Sequence, residues 1–300
     1  RQFKKRLISI FLNCLPMKLR RRRFELTVFD AGRHRKLAGE DIGEERSPDL
    51  FLCLPGLLET HESFDEFISF IAPDARIIVL DWCGRGDSDW LAAAHDYKMS
   101  VYLSDLWLFY TYAMGVMSSL AFTAQGDSDS ATASKSARIH LVGTSMGGLL
   151  AVMLASGKPK MLGSVILNDI GPLLPWSGVF ALMTTISTAK SSSMNTLRGP
   201  DLAKQLDVDP QLLRAVRQPA HLDLPHENRL SGVDFSDHFA AVTTPILVLR
   251  GMDSEIVNDS VVKRMFEIHP LTRIHECPDS GHPVAYSKTV CEAIRHFIGL

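Results

Sequence analysis

The segment Gly143-Thr144-Ser145-Met146-Gly147 sets a serine between two glycines, each two positions away. A hydroxyl held on a sharp strand-to-helix turn needs small residues at those positions, because larger side chains there would collide. Such a turn lifts the Ser145 hydroxyl above a sheet. It also leaves the Met146 N–H at a helix N-terminus, aimed where an oxyanion would form. With glycine at about 7% of residues, a given serine is flanked this way about once in two hundred by chance. The context adds to the signal, since His140-Leu141-Val142 reads as an apolar strand and Gly148-Leu149 opens an apolar helical pattern. A nucleophile of this kind needs a base. Of eleven histidines, His282 alone sits in a turn directly after the expected last strand, between Gly281 and Pro283. A histidine there can take the serine's proton and return it to a leaving group. The chemistry on offer is attack on a carbonyl through a covalent acyl intermediate.

Elements must carry these residues to one place. Short apolar runs recur at Leu50–Leu54, Arg76–Leu80, Arg138–Val142, Ser164–Leu167, Ile246–Leu249 and Arg273–Cys277, each ending in a loop with Gly, Asp or Pro. Ile77–Leu80 and Ile246–Leu249 show no polar alternation, the pattern of a parallel strand buried on both faces. Helical spacing marks His61–Ile71, Ser100–Leu120, Gly147–Ala155, Val257–Ile268 and Ala285–Ile298. The alternation predicts an α/β fold, a mostly parallel doubly wound sheet with helices on both faces. Before it, Phe24–Ala31 reads as a strand and the stretch to Pro48 as turn-rich. Ala124–Ala137 is small and polar and reads as a surface loop. Residues 173–241 are too long for one crossover and read as an inserted helical lid. The division expected is a basic leader over 1–23, a core over 24–172 and 242–300, and the lid between.

Three hundred residues with 46% apolar and 22% charged side chains can bury a sizeable core. That composition, with a mean hydropathy of +0.05, excludes disorder, collagen and coiled coil. Five cysteines without a CxxC pair argue against a disulfide framework or structural zinc and fit a reducing, cytoplasmic setting. Nine of the 32 basic residues fall within residues 1–24, where there is no acid. The remainder stands near −11, 23 bases against 34 acids, which argues against nucleic-acid binding. The basic leader lacks a signal-peptide cleavage pattern and is too short to span a bilayer. Two readings remain for it: weak contact with an anionic membrane surface, or a peripheral helix whose bases are merely solvated.

With these residues in view, nearly the whole chain after the leader resembles the α/β-hydrolase superfamily. The Ser145 motif matches its nucleophile turn. Leu52-Cys53-Leu54-Pro55-Gly56-Leu57-Leu58 resembles its oxyanion loop, with Pro55 where the family usually has His; the resemblance implies Leu57 as the second backbone donor beside Met146. Asp81-Trp82-Cys83-Gly84-Arg85-Gly86-Asp87-Ser88 resembles the D-x-x-G-x-G-x-S turn, structural in most members. Cys277-Pro278-Asp279-Ser280-Gly281-His282-Pro283 is similar to the histidine loop. The chain order nucleophile, acid, histidine is the family's. In most members the acid lies three residues past the glycine of Leu249-Arg250-Gly251. Ser254 occupies that place here, with Asp253 before it and Glu255 after it. Other members carry the acid after the preceding strand, where Asn168-Asp169-Ile170-Gly171-Pro172 resembles the turn. Asp169, Asp253 and Glu255 therefore all stand as candidates to orient His282, and Asp169 also reads as a plain turn residue.

What the resemblance implies is a serine hydrolase, esterase- or lactonase-like, acting through Ser145, His282 and an acid, with no metal or organic cofactor. Dehalogenation is disfavoured, because the dehalogenases of the family use Asp as nucleophile. The expected partner is a small-molecule acyl substrate, an ester, lactone or thioester of a small apolar acid. Leu173, Leu174, Pro175, Trp176, Val179 and Phe180 at the lid's start either line its pocket or pack on the core. An aminopeptidase or carbon–carbon bond hydrolase on the same residues, and a non-catalytic binding protein of this fold, are the alternatives.

Overall fold

The computed structural model describes residues 19–30, 33–57, 59–92, 96–124, 136–175 and 233–300. The strands are β1 (Arg21–Asp30), β2 (Arg33–Gly43), β3 (Asp49–Leu54), β4 (Arg76–Leu80), β5 (Arg138–Thr144), β6 (Leu162–Asn168), the short β7 (Leu173–Leu174) and β8 (Val233–Asp234), β9 (Ile246–Gly251) and β10 (Thr272–Cys277). Eight of them form one sheet in the order β1-β2-β4-β3-β5-β6-β9-β10. From β4 to β10 every pairing is parallel, and β1 and β2 are antiparallel to their neighbours. After a 3-10 turn at His61–Phe64 come α1 (Asp65–Ile71), α2 (Met99–Ala124), α3 (Met146–Ser156), α4 (Ser236–Ala241), α5 (Asp259–Ile268) and α6 (Lys288–Ile298). No described helix is long and apolar enough to cross a membrane.

The uninterrupted apolar strands follow from a sheet covered on both sides. Leu50, Leu52, Ile78, Leu80, Leu141, Val165 and Val248 face one core, built with α2, α3 and α5. Their neighbours Phe51, Cys53, Ile77, Val79, Val142, Ile166 and Leu247 face a second core, under α1 and α6. Side chains alternate faces along a strand, so both phases of the period are apolar when both faces are buried.

The N-terminal edge departs from the sequence expectation. The turn-rich stretch to Pro48 contains an 11-residue strand, β2, and β1 begins at Arg21, inside the segment read as leader. The reason is charge pairing across the strands. Arg23 sits opposite Glu40 in the register, and both Arg21 (2.6 Å) and Arg23 (3.2 Å) bond its carboxylate. Buried Asp41 takes two bonds from Arg76 of β4, at 2.9 and 2.5 Å, and one from Arg20 at 2.8 Å. Arg35 grips Asp105 of α2, likewise buried. A strand whose inward residues are ion-paired does not show its period in hydropathy.

The ends of the expected lid also become clear. Leu173 and Leu174 pair with Asp234 and Val233, so the chain leaves and re-enters at one ribbon. Phe239 of α4 is fully buried in the first core, so this end of the 173–241 segment belongs to the core layer. Residues 1–18 of the leader, residues 125–135 of the surface loop and residues 176–232 of the lid lie outside the described residues.

A further pair, half-buried at His61 and buried at Asp81, ties the first crossover to the sheet. Asp81, just past β4, accepts the His61 backbone N–H at 2.7 Å and faces its Nδ1 at 2.8 Å, and also accepts the Asp87 N–H at 3.0 Å. Gly86 has φ +51°, and a Cβ there would lie 2.0 Å from the Asp81 carboxylate, so this turn admits only glycine.

Two stability measurements test these pairs. Asp41→Ala leaves Arg76 buried without its partner and should cost about 3–5 kcal/mol in chemical denaturation. Adding Arg76→Met should recover most of it; a single variant within experimental error of the parent would show that the pair does not hold β2. For His61, burial opposes the charged form, but Asp81 overrides it and lifts the pKa above its ordinary 6.5. The pair's contribution is therefore full below pH 6.5 and is lost as pH rises through the folded-state value. The melting-temperature gap between the parent and His61→Gln should narrow as the pH is raised; a constant gap would contradict it.

Candidate active site

The turn between β5 and α3 bends as the glycine spacing requires. Ser145 has φ 49° and ψ −114°, in the left-handed half of backbone space, which non-glycine residues seldom enter. A Cβ on Gly147 would lie 2.1 Å from the Leu54 carbonyl oxygen, and one on Gly143 would lie 2.5 Å from the Gly148 backbone. The strand end, helix start and β3 loop therefore meet backbone to backbone. Met146 is the first residue of α3, where N–H groups have no partner within the helix.

His282 bridges two groups brought from distant parts of the chain. Its Nε2 lies 2.9 Å from Ser145 Oγ and its Nδ1 lies 2.8 Å from Asp169 Oδ2. Asp169 is fully buried just past the end of β6. Its other oxygen accepts the Gly251 N–H at 3.1 Å, and Ser254 Oγ donates to Oδ2. Of the three candidate carboxylates, Asp169 is the one at the imidazole. Asp253 and Glu255 are exposed on the β9 loop, where Asp253 contributes its backbone N–H to the Ser280 carbonyl at 2.9 Å. The residue between them, Ser254, sits where most of the family keep the acid, and here it donates a hydrogen bond to the Asp169 carboxylate.

The sequence reading missed Asn168. Its side-chain amide donates to the Val284 carbonyl at 2.7 Å and accepts the Val284 N–H at 2.9 Å. This pair of hydrogen bonds between amide and backbone fixes the histidine loop two residues past His282. No hydropathy pattern marks such a residue; its only signal is its place beside Asp169.

Burial decides which groups can react. The four described cysteines are all buried. Burial pushes the thiols of Cys83 and Cys291 up to about 12, and burial with nearby Asp169 pushes Cys277 up to about 11. Thiolate chemistry is thus suppressed beside the serine. The sheet also holds a second set of the same residue types: Ser164 Oγ lies 2.7 Å from His140 Nδ1, whose Nε2 lies 3.1 Å from Asp49. All three are buried near the opposite strand ends, and burial lowers the pKa of His140 despite Asp49. Buried at every member, that set packs within the sheet's interior. Ser145 and His282, by contrast, are partly exposed above the C-terminal strand ends, where open α/β sheets bind ligands. Among the described residues no cluster of three His, Cys, Asp or Glu is arranged to hold a metal ion.

The alpha/beta hydrolase fold family matches residues 49–219, more than half of the chain, and the chain belongs to that family. A 3-hydroxybutyrate-oligomer hydrolase of Cupriavidus necator is 26% identical over 291 residues, covering 86% of this chain and 90% of its own. An alpha/beta hydrolase from Novosphingobium aromaticivorans superposes with a TM-score of 0.61 at 23% identity, over 93% of this chain and 98% of that one. The proline iminopeptidase of Mycobacterium smegmatis also gives 0.61, at 17% identity, over 92% and 98%. The family and the relative support hydrolase chemistry, and the structural neighbours share the chain's fold.

The acid is open to a direct test. Asp169→Asn should lower turnover about 10⁴-fold, as expected when the carboxylate behind a catalytic imidazole is lost. Asp253→Asn and Glu255→Gln should stay near the parent, with melting behaviour recorded for each. Collapse of activity in either of the latter two, with Asp169→Asn active, would move the acid to the β9 loop.

Proposed function

We propose that the protein is a serine esterase that cleaves its substrate through an acyl-enzyme, with Ser145 as nucleophile, His282 as base and Asp169 as the acid. One observation carries this reading: the unbroken line Asp169–His282–Ser145, at 2.8 and 2.9 Å, on the strained turn above the sheet. Ser145 Oγ forms a bond to the substrate carbonyl carbon as His282 Nε2 takes its proton, and Asp169 stabilises the imidazolium. The oxyanion that forms is held by the backbone N–H groups of Leu57 and Met146. The tetrahedral species expels the alcohol, which receives the proton from His282. Water, deprotonated by His282, then attacks the acyl-enzyme and releases the acid and free Ser145.

One relative supports a choice of substrate class. The Cupriavidus necator enzyme is named for hydrolysis of 3-hydroxybutyrate oligomers, which are short oligoesters of a small hydroxy acid. An ester of that kind satisfies the small, largely apolar acyl group expected of this site. Short oligoesters and simple acyl esters are accordingly the substrates to test first.

Ser145→Ala should fold normally while losing ester turnover by about 10⁴-fold or more and losing covalent labelling by a fluorophosphonate. Labelling that persists on another serine would refute the assignment. Across a panel of 3-hydroxybutyrate oligomers, p-nitrophenyl acyl esters and aminoacyl anilides, the esters should give the higher kcat/KM. A preference for anilides would favour peptidase chemistry instead.

A further inference from the structure

The loop after β3 is held by its backbone carbonyls, one after another. The Trp82 indole N–H donates to the Pro55 carbonyl at 2.7 Å. The Glu59 N–H donates to the Gly56 carbonyl at 3.2 Å. Arg85 Nε donates to the Leu57 carbonyl at 2.6 Å. The Gly56 N–H in turn donates to the Glu59 carboxylate at 2.6 Å. Trp82 and Arg85 come from the D-x-x-G-x-G-x-S turn, a motif for which the reaction itself has no use. Both are fully buried, and Glu59 is only 5% exposed.

We infer that Glu59, Arg85 and Trp82 are positioning residues that lock the Pro55–Leu57 backbone so that the Leu57 N–H is aimed at the oxyanion before substrate arrives. The geometry is that of a trans peptide. In the Gly56–Leu57 unit the carbonyl and the N–H point in opposite directions. The Glu59 carboxylate on the Gly56 N–H and the Trp82 indole on the Pro55 carbonyl hold the Pro55–Gly56 plane from its two sides, and Arg85 holds the plane after Leu57. The Gly56–Leu57 plane between them, its carbonyl on the Glu59 backbone N–H, is thereby fixed with the Leu57 N–H on the other side. A flip of this peptide would break the bond from the Glu59 backbone N–H and turn a carbonyl towards the site, and it requires the two flanking planes held by Glu59, Trp82 and Arg85 to give way. The loop also lies against the nucleophile turn, for the Leu54 and Pro55 carbonyls crowd Gly147.

The supports of the clamp are themselves anchored. Arg85 Nη1 donates to the Cys83 carbonyl at 3.2 Å and to the Tyr102 hydroxyl at 3.0 Å. Ser63 Oγ donates to Glu59 at 3.2 Å. Burial raises the Glu59 pKa, against the Gly56 N–H, the Ser63 and Thr144 hydroxyls and the nearby His282, which lower it. A carboxyl in that setting serves as a hydrogen-bond acceptor whether or not it is charged, so glutamine can take its place.

The inference rests on the esterase reading with Leu57 as donor, and the experiment separates the two. Glu59→Ala, Glu59→Gln, Arg85→Met and Trp82→Phe are compared with the parent for kcat, KM and affinity for a trifluoromethyl ketone, which forms an oxyanion on the serine. Removing an oxyanion donor outright costs about 10²–10³-fold in kcat, and a misplaced one should cost about 10- to 100-fold. Glu59→Ala and Arg85→Met should show that loss in kcat and a matching loss of ketone affinity. KM for a neutral ester should change less than about threefold, since ground-state contacts are untouched. Glu59→Gln should recover most of the activity, and Trp82→Phe should show a smaller loss of the same pattern. If folded Glu59→Ala and Arg85→Met keep the parent kcat and ketone affinity, or lose KM and kcat alike, the clamp is overturned while the esterase reading stands. If the parent neither turns over esters nor binds the ketone, the esterase reading itself fails.

Discussion

Ser145 keeps its left-handed backbone only because nothing larger than a hydrogen stands at Gly143 or Gly147. A non-glycine residue held there costs of order 1–3 kcal/mol, which the surrounding packing must sustain. The packing does so through direct backbone contact: β5 against the start of α3, and both against the loop after β3. Everything else at the site is placed relative to that turn. The β6 end supplies Asp169 and, one residue earlier, the amide that pins the histidine loop. The β9 end supplies Ser254 and the Gly251 N–H to the same carboxylate. Adjacent parallel strands thus deliver their C-terminal ends to one point, and short-range hydrogen bonds fix the rest.

How much of this is legible beforehand depends on what kind of interaction does the positioning. The buried parallel strands are read from apolar runs, since Ile77–Leu80 and Ile246–Leu249 have no polar phase to hide them. The nucleophile turn is read from spacing, because sterics alone demand glycine there. Strand β2 escapes, because its inward residues Arg35 and Asp41 are charged and its burial is earned by partners on β4 and α2. A reading that equates charge with exposure fails at such an edge.

The acid shows a different limit. Spacing after Gly251 points to a position occupied by Ser254, and its neighbours Asp253 and Glu255 are carboxylates of the right kind. Nothing local separates them from Asp169. What separates them is where the β6 and β9 ends fall relative to His282, which is a property of strand register across the sheet. Asn168, Glu59 and Trp82 are illegible for a related reason. Their partners are backbone groups, of other segments for Asn168 and Trp82 and of its own loop for Glu59, so no side-chain pattern in the sequence reflects the pairing.

The same wide separation has a consequence for the order in which the chain is made. Ser145 and His282 stand 137 residues apart, and contacts of such separation form late in folding. During synthesis the nucleophile turn, the loop at Leu57 and the buried Asp169 all emerge before the histidine loop exists. Until β10 pairs with β9 and carries His282 over the sheet, Ser145 is an ordinary alcohol with no base beside it. On the mechanism proposed, Ser145 therefore gains its base only when β10, the last described strand of the sheet in chain order, is in place.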